Sequence, residues 1–124
     1  MIVRAYCKDD HFACIEIFKS NTPKFFAENE LNDFEFWLNG KDQNVLAYQN
    51  TQEEYFYVLE HDGSVKACGG MYLPKNEQRI NLVWGMVHSS MHLQGIGACL
   101  MQYRLDLANV LFPRIPITID TTQH

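Results

Sequence analysis

At Gly95 the hydrophobic pattern of this chain changes period, and few folds accommodate such a change. Upstream, Ile80-Asn81-Leu82-Val83-Trp84-Gly85-Met86-Val87 is a long β-rich run. Downstream, Ile96, Cys99, Leu100, Tyr103, Leu107 and Val110 or Leu111 recur at the helical spacing of about 3.6 residues. A strand therefore runs through a short loop and two closely spaced glycines, Gly95 and Gly97, into a long amphipathic helix. Pro113 ends that helix, and residues 115–120 read as one more strand. A strand–helix–strand unit of this kind is expected to be a right-handed parallel crossover.

The segments before it supply the rest of a sheet. Residues 2–7 are β-rich and read as a first strand, and Asp9 or Asp10 is placed to cap the helix that follows. Cys14, Ile15, Ile17 and Phe18 give that helix its apolar side. Asn21-Thr22-Pro23 stops and restarts the chain, with Thr22 as cap of a second helical region that buries Phe26, Leu31, Phe34, Trp37 and Leu38. Gly40 is expected to close it as a left-handed cap, and residues 41–52 are polar enough for a loop. Residues 54–60 and 65–73 form a hairpin around His61-Asp62-Gly63-Ser64, since Asp-Gly supplies the positive φ of a tight turn. Gly69-Gly70 inside its second arm signals a bulge or a close backbone approach. The order is strand, two helices, three antiparallel strands, helix, strand. That makes residues 1–124 one α+β domain with a mixed sheet, free of internal repeats or linkers.

Composition narrows the function. With 124 residues and 47% hydrophobic content the chain can build a core. A formal net charge of −5 argues against broad binding to nucleic acid or an anionic membrane, though it leaves room for a local anion site. Charges at Arg4, Lys8, Asp9 and Asp10 come too early for a secretory signal, and no apolar run reaches the roughly 20 residues of a membrane span. Cys7, Cys14, Cys68 and Cys99 lack a CxxC spacing and read as free thiols in a reducing cytoplasm.

The loop and helix start carry the chemistry. Glycines two apart let the main chain turn sharply and present N–H groups unobstructed by a Cβ. The helix start adds about half a positive charge, which suits a pyrophosphate without any basic side chain. A plain strand-to-helix turn uses the same glycines for tightness alone. A Rossmann fingerprint would need glycine or alanine where Leu100 stands, and a P-loop would need Gly-Lys-Ser/Thr. His88 and His92 form an HxxxH pair, but in a loop and without a further ligand, so no metal site is assigned. The Tyr55-Phe56-Tyr57 run reads as a strand face rather than a stacking platform.

In this context Val87 through Leu100 resembles motif A of the GNAT superfamily of N-acetyltransferases, Arg/Gln-x-x-Gly-x-Gly/Ala, with Gly95 and Gly97 in register and His92 at the Arg/Gln position. Tyr57-Val58-Leu59-Glu60, Asp62-Gly63 and Cys68-Gly69-Gly70-Met71-Tyr72 are similar to the hairpin before that motif in small members. The resemblance implies acetyl-CoA as donor and an amine, on a small molecule or a protein, as acceptor. It implies that the pantetheine arm pairs with main chain at Met86 and Val87. The pyrophosphate would then lie on the segment His92, Leu93, Gln94, Gly95, Ile96, Gly97 and Ala98, between two parallel strands that splay apart.

Transfer to an amine needs a neutral nucleophile, a polarised thioester carbonyl and a proton for the departing thiolate. A main-chain N–H near Val87 suits the second need. For the base, His88 is well placed, with Glu60 and Asp120 as alternatives; each reads equally as a strand-end or loop group. Tyr72 is a candidate for the acceptor pocket. In the family a further helix and two strands follow the point corresponding to residues 120–124, so the fold is expected to be C-terminally shortened. A truncated chain, completion by another chain through the exposed last strand (a homodimer included) and a domain that binds acyl-CoA without catalysis all fit.

Overall fold

The computed structural model describes residues 1–119 apart from Pro23, Phe25 and Leu93. Five strands form one sheet in the order β1 (Ile2–Ala5), β2 (Thr51–His61), β3 (Ser64–Pro74), β4 (Ile80–Val87) and β5 (Ile117–Ile119). The first three pairings are antiparallel, and β4 with β5 is parallel. Helices α1 (His11–Ser20) and α2 (Glu30–Asp42) cover one face, and α3 (Ile96–Leu111) covers the other. The fold is thus α+β with a mixed sheet, and no helix among the described residues is long and apolar enough to cross a membrane.

Strand alternation assigns the two cores. Phe56, Val58 and Cys68 point to α1 and α2, where Phe18, Phe34 and Trp37 are buried. Leu59, Ala67 and Met71 point to α3. The hairpin turn adopts positive φ at both Asp62 (52°) and Gly63 (79°), the conformation that Asp-Gly favours. The adjacent glycines of β3 serve opposite faces. A Cβ on Gly69 would lie 2.7 Å from Cζ of Arg104 in α3, and one on Gly70 would lie 2.8 Å from the Trp37 ring in α2. A bulge sits at the same place: Gly70 pairs with Val83 but Cys68 with Met86, so two steps in β3 match three in β4. The extra residue is Trp84, in the left-handed region at φ 55°.

Several local expectations are corrected. Asp10 occupies the N-cap position of α1 but makes no cap bond; its carboxylate accepts from the Cys7 N–H (2.9 Å) and the Arg4 guanidinium (2.7 Å), which outbid the helix N–H groups. Thr22 bonds back to the Phe18 carbonyl, and α2 starts only at Glu30. Gly40 lies inside α2, where the missing Cβ admits Ala47. Asn44 (φ 56°) ends the helix instead, with its N–H on the Lys41 carbonyl and the Val45 N–H on the Gly40 carbonyl, a Schellman pair. In α3 the buried stripe is Ile96, Leu100, Arg104 and Ala108, whereas Val110 is 76% exposed. The last strand spans three residues among those described.

Two predictions follow from this packing. Gly69→Ala should cost about 1–3 kcal/mol, because the buried Arg104 guanidinium is held on the Gly70 carbonyl and cannot yield freely; an unchanged urea midpoint would remove that role for the glycine. Asp10 provides the pH test. Burial pushes its carboxyl up, but the Arg4 guanidinium and the Cys7 N–H together hold it below the ordinary range. Its stabilisation is therefore present above about pH 4 and lost as pH falls through the lowered folded value. The stability difference between wild type and Asp10→Asn, followed by urea titration, should be largest near neutrality and shrink in acid.

Candidate functional site

The site lies at the C-terminal end of β4. Pairing between β4 and β5 runs from Ile80 opposite Ile117 to Leu82 opposite Ile119, while β4 continues to Val87. Past the described part of that ladder, Met86 and Val87 of β4 lie across a gap from the N-terminus of α3. A cleft of about 620 Å³ opens there, and a second of about 420 Å³ continues on the α3 side. The two share Met86, Val87, Gly97 and Ala98 as lining.

The bulge sets which groups face this gap. Leu82 packs on the α3 side, and without Trp84's left-handed turn Met86 would follow it there. Instead Met86 joins the α1 and α2 core and Val87 packs toward α3. The Val87 Cγ2 then lies 3.2 Å from where a Cβ on Gly97 would sit, so the first turn of α3 can seat against the strand. The His88 N–H donates to the Lys66 carbonyl at 2.8 Å, with Ala67 paired to Val87. Antiparallel alternation therefore turns the N–H and C=O of Val87 away from β3, toward the gap. There the carbonyl accepts from Asn21 Nδ2 (3.0 Å) and His92 Nε2 (3.0 Å).

Helix α3 presents its start to the cleft. Gly95 is the N-cap, left-handed at φ 76°, and the first intrahelical bond runs from the Cys99 N–H to the Gly95 carbonyl at 3.0 Å. The N–H groups of Ile96, Gly97 and Ala98 consequently have no acceptor within the helix. Polar side chains around the cleft are Asn21, Lys24 and His92, and no carboxylate is among its described lining residues. An anion fits this lining.

The residues singled out in the sequence divide. Met86, Val87, His92 and Gly95 line the first cleft, as do Ile96, Gly97 and Ala98. Gln94 is exposed and outside the lining, and Leu93 lies outside the described residues. His88 caps a short 3-10 turn, its Nδ1 accepting from the Ser90 N–H at 3.1 Å, and it lines neither cleft. Glu60 is tied to Arg4 at 3.1 Å and also stands away from both clefts. Asp120 lies outside the described residues. Tyr72 lines a separate small groove near Asn81. No group of His, Cys, Asp and Glu among the described residues could hold a metal ion.

Sequence reading missed three contributors. Asn21 is buried, bonded to the Ile17 carbonyl at 2.8 Å as well as to Val87, and brings the end of α1 to the end of β4. Phe26 forms an apolar wall of the first cleft. Arg104 lines the second cleft from within α3, its Nη1 donating to the Gly70 carbonyl at 2.9 Å, and burial pulls its pKa down to about 10. Each meets the site through a tertiary contact; only the Asn21 break after an apolar helix left any local trace.

Gly95→Ala isolates the backbone requirement. No atom lies within 4 Å of the added Cβ, so its cost is the left-handed conformation alone, about 1–2 kcal/mol by urea denaturation. A neutral substitution would mean that Gly95 does not need its positive φ.

No protein-family model matches this chain, and no curated protein matches its sequence. Solved structures do match its fold. A protein from Desulfovibrio desulfuricans described as an acetyltransferase of the GNAT family superposes with a TM-score of 0.73 at 14% identity, over 89% of this chain and 66% of that one. The ribosomal-protein-alanine N-acetyltransferase of Brucella melitensis gives 0.67 at 16% identity, over 90% of this chain and 69% of that one. The PaiA N-acetyltransferase of Thermoplasma acidophilum, in complex with coenzyme A, gives 0.62 at 11% identity, over 89% and 72%. This chain thus spans slightly under two thirds of the Desulfovibrio protein's length. Its fold is that of the GNAT acetyltransferases.

Proposed function

We propose that this chain binds acetyl-CoA in the gap beside β4 and transfers the acetyl group to an amine. The observation that carries the reading is the cleft that the end of β4, at Met86 and Val87, shares with the bare start of α3, at Gly95, Ile96, Gly97 and Ala98. A phosphate-bearing ligand with an amide-rich arm matches both halves: N–H groups of Ile96, Gly97 and Ala98 for the phosphates, and the strand edge near Met86 and Val87 for the arm. Coenzyme A is the ligand named for the PaiA protein and for Rv2747 of Mycobacterium tuberculosis, which share the fold.

When bound, acetyl-CoA would supply an activated thioester. In the transfer, the amine nitrogen bonds to the carbonyl carbon, the carbon–sulfur bond breaks, and the amine's proton passes to a base while the thiolate takes one up. The Val87 N–H, turned toward the gap, is the main-chain donor suited to polarising the carbonyl. His88, next in the chain, is the candidate base adjacent to it in sequence, and Glu60 is occupied by Arg4. An acetyl-CoA-dependent reaction suits a cytoplasmic protein.

A second reading has its own support. Neither His88 nor Glu60 lines a cleft, which favours a domain that binds acyl-CoA without turning it over. Calorimetry with acetyl-CoA tests the binding common to both readings, and no heat at millimolar concentration would sink both. Thiol release in the presence of varied amines separates them, since turnover is expected only of a transferase. Gly95→Glu should weaken acetyl-CoA binding at least about tenfold through its charge at the helix start, whereas Gly95→Ala retains binding. Equal losses in both variants would trace the effect to backbone strain rather than to the phosphates.

A further inference from the structure

The Val87 carbonyl, turned toward the cleft, is already occupied. It accepts from Asn21 Nδ2 and from His92 Nε2, each at 3.0 Å, and a carbonyl oxygen has two lone pairs. At Val87 the strand therefore offers the cleft an N–H but no open acceptor. Asn21 restores one. This residue is 4% exposed, lines the first cleft, and gives its Nδ2 hydrogens to the Ile17 carbonyl at 2.8 Å and to the Val87 carbonyl. Two carbonyl partners fix which end of the carboxamide is nitrogen, so Oδ1 points away from both. Among the described residues no donor meets that oxygen, and the atom is not sealed inside the fold. It opens on the cleft that Asn21 lines. Neighbouring bonds hold the group in place. Ser20 Oγ donates to the Ile17 carbonyl at 2.7 Å and accepts from the Ser89 N–H at 3.0 Å, so the end of α1 is strapped to the turn after β4.

We propose that Asn21 is a binding residue for the arm of the acyl-CoA ligand, its Oδ1 accepting the N–H of the arm's amide nearest the sulfur. The proposal rests on the acyl-CoA reading and adds a side chain to it. A carboxamide carries the donor and the acceptor of a peptide group, so Nδ2 closes the Val87 carbonyl while Oδ1 presents the acceptor that this carbonyl no longer offers. An arm N–H held there leaves the Val87 N–H for the thioester carbonyl, from which the sulfur and two methylene groups separate that amide. Bonds to Ile17 and Val87 already fix the carboxamide, so the ligand orders no mobile side chain in making this contact.

The probes are acetyl-CoA and its analogue with an ester in place of that amide, which lacks only the N–H donor. By calorimetry the wild-type protein should bind the analogue about tenfold more weakly. Asn21→Ala should bind the two alike, and should keep its affinity for 3′-phospho-ADP, which has the pyrophosphate but no arm. The carboxamide carbon resonance of Asn21 reads the bond in the wild-type protein without any variant. It should shift when acetyl-CoA binds and shift less with the ester analogue. Equal wild-type affinity for amide and ester, the same penalty in wild type and Asn21→Ala, or an unmoved carboxamide resonance would overturn this proposal and leave the acyl-CoA reading standing. So would an Asn21→Ala protein that loses 3′-phospho-ADP as much as acetyl-CoA, since Asn21 would then only shape the cleft. No binding of acetyl-CoA or 3′-phospho-ADP to the wild-type protein at millimolar concentration would overturn both.

Discussion

Trp84, held at φ 55° in the middle of β4, is the constraint around which the site is arranged. A left-handed non-glycine residue costs about 1–2 kcal/mol. The indole offsets that cost by being 5% exposed, packing 5.0 Å from the Phe34 ring and donating Nε1–H to the Tyr48 hydroxyl at 2.8 Å. The extra residue exchanges the faces of everything after it. Met86 turns to the α1 and α2 core, Val87 turns to α3, and the Val87 main chain is left pointing at the gap. Disruption of the ladder also creates polar main-chain groups in need of donors. Arg104 reaches across from α3 to the Gly70 carbonyl, with the Val83 carbonyl 3.5 Å away, and Cys68 Sγ approaches the Trp84 carbonyl at 3.6 Å. Bulge, arginine and glycine pair are thus one arrangement, since the guanidinium fits only where Gly69 has no side chain.

Much of this fold was legible in the sequence because it is written in local pattern. The Asp62-Gly63 turn, the bounds of β4 and the switch to helical period at Ile96 all express preferences of neighbouring residues. Gly69-Gly70 carried the right signal for both a bulge and a close approach, although not the identity of what approaches. The failures share a cause. Gly40 looked like a helix end because glycine usually is one, but Ala47, seven positions on, uses the missing Cβ. Asp10 looked like a cap because Arg4 and Glu60, brought together by the β1–β2 register, could not be foreseen from spacing. Arg104 left no signal in the helical pattern, because a buried guanidinium is rare and its partners are carbonyls in β3 and β4.

For the site, the readable part was the main chain and the unreadable part was the side chains. Strand, glycine turn and helix start are contiguous from Met86 to Ala98, so their approach follows from sequence order. Asn21 and Phe26 come from the far end of α1 and the segment after it, and only tertiary packing sets them against β4. The described acid–base candidates illustrate the same limit. His88 is two residues from Ser90 and bonds to it; Glu60 sits opposite Ile2 in the β1–β2 ladder and meets Arg4. Local partners took both groups before the cleft could.

The electrostatics explain how a chain of net charge −5 can offer an anion site. Carboxylates are gathered elsewhere: Asp10 and Glu60 on Arg4, Glu54 buried against Lys41, and Asp42 between Tyr6 and His11. Each is neutralised or hydrogen-bonded on the β1, α1 or α2 side, and none lines the cleft. What the described lining offers at the gap is the field of the α3 start with the side chains of Asn21, Lys24 and His92. Main-chain dipoles are fixed by the fold and cannot be titrated away, so they supply a constant attraction. His92, donating to the Val87 carbonyl at 3.0 Å, ties the loop before α3 to the end of β4 and so holds those dipoles against the strand.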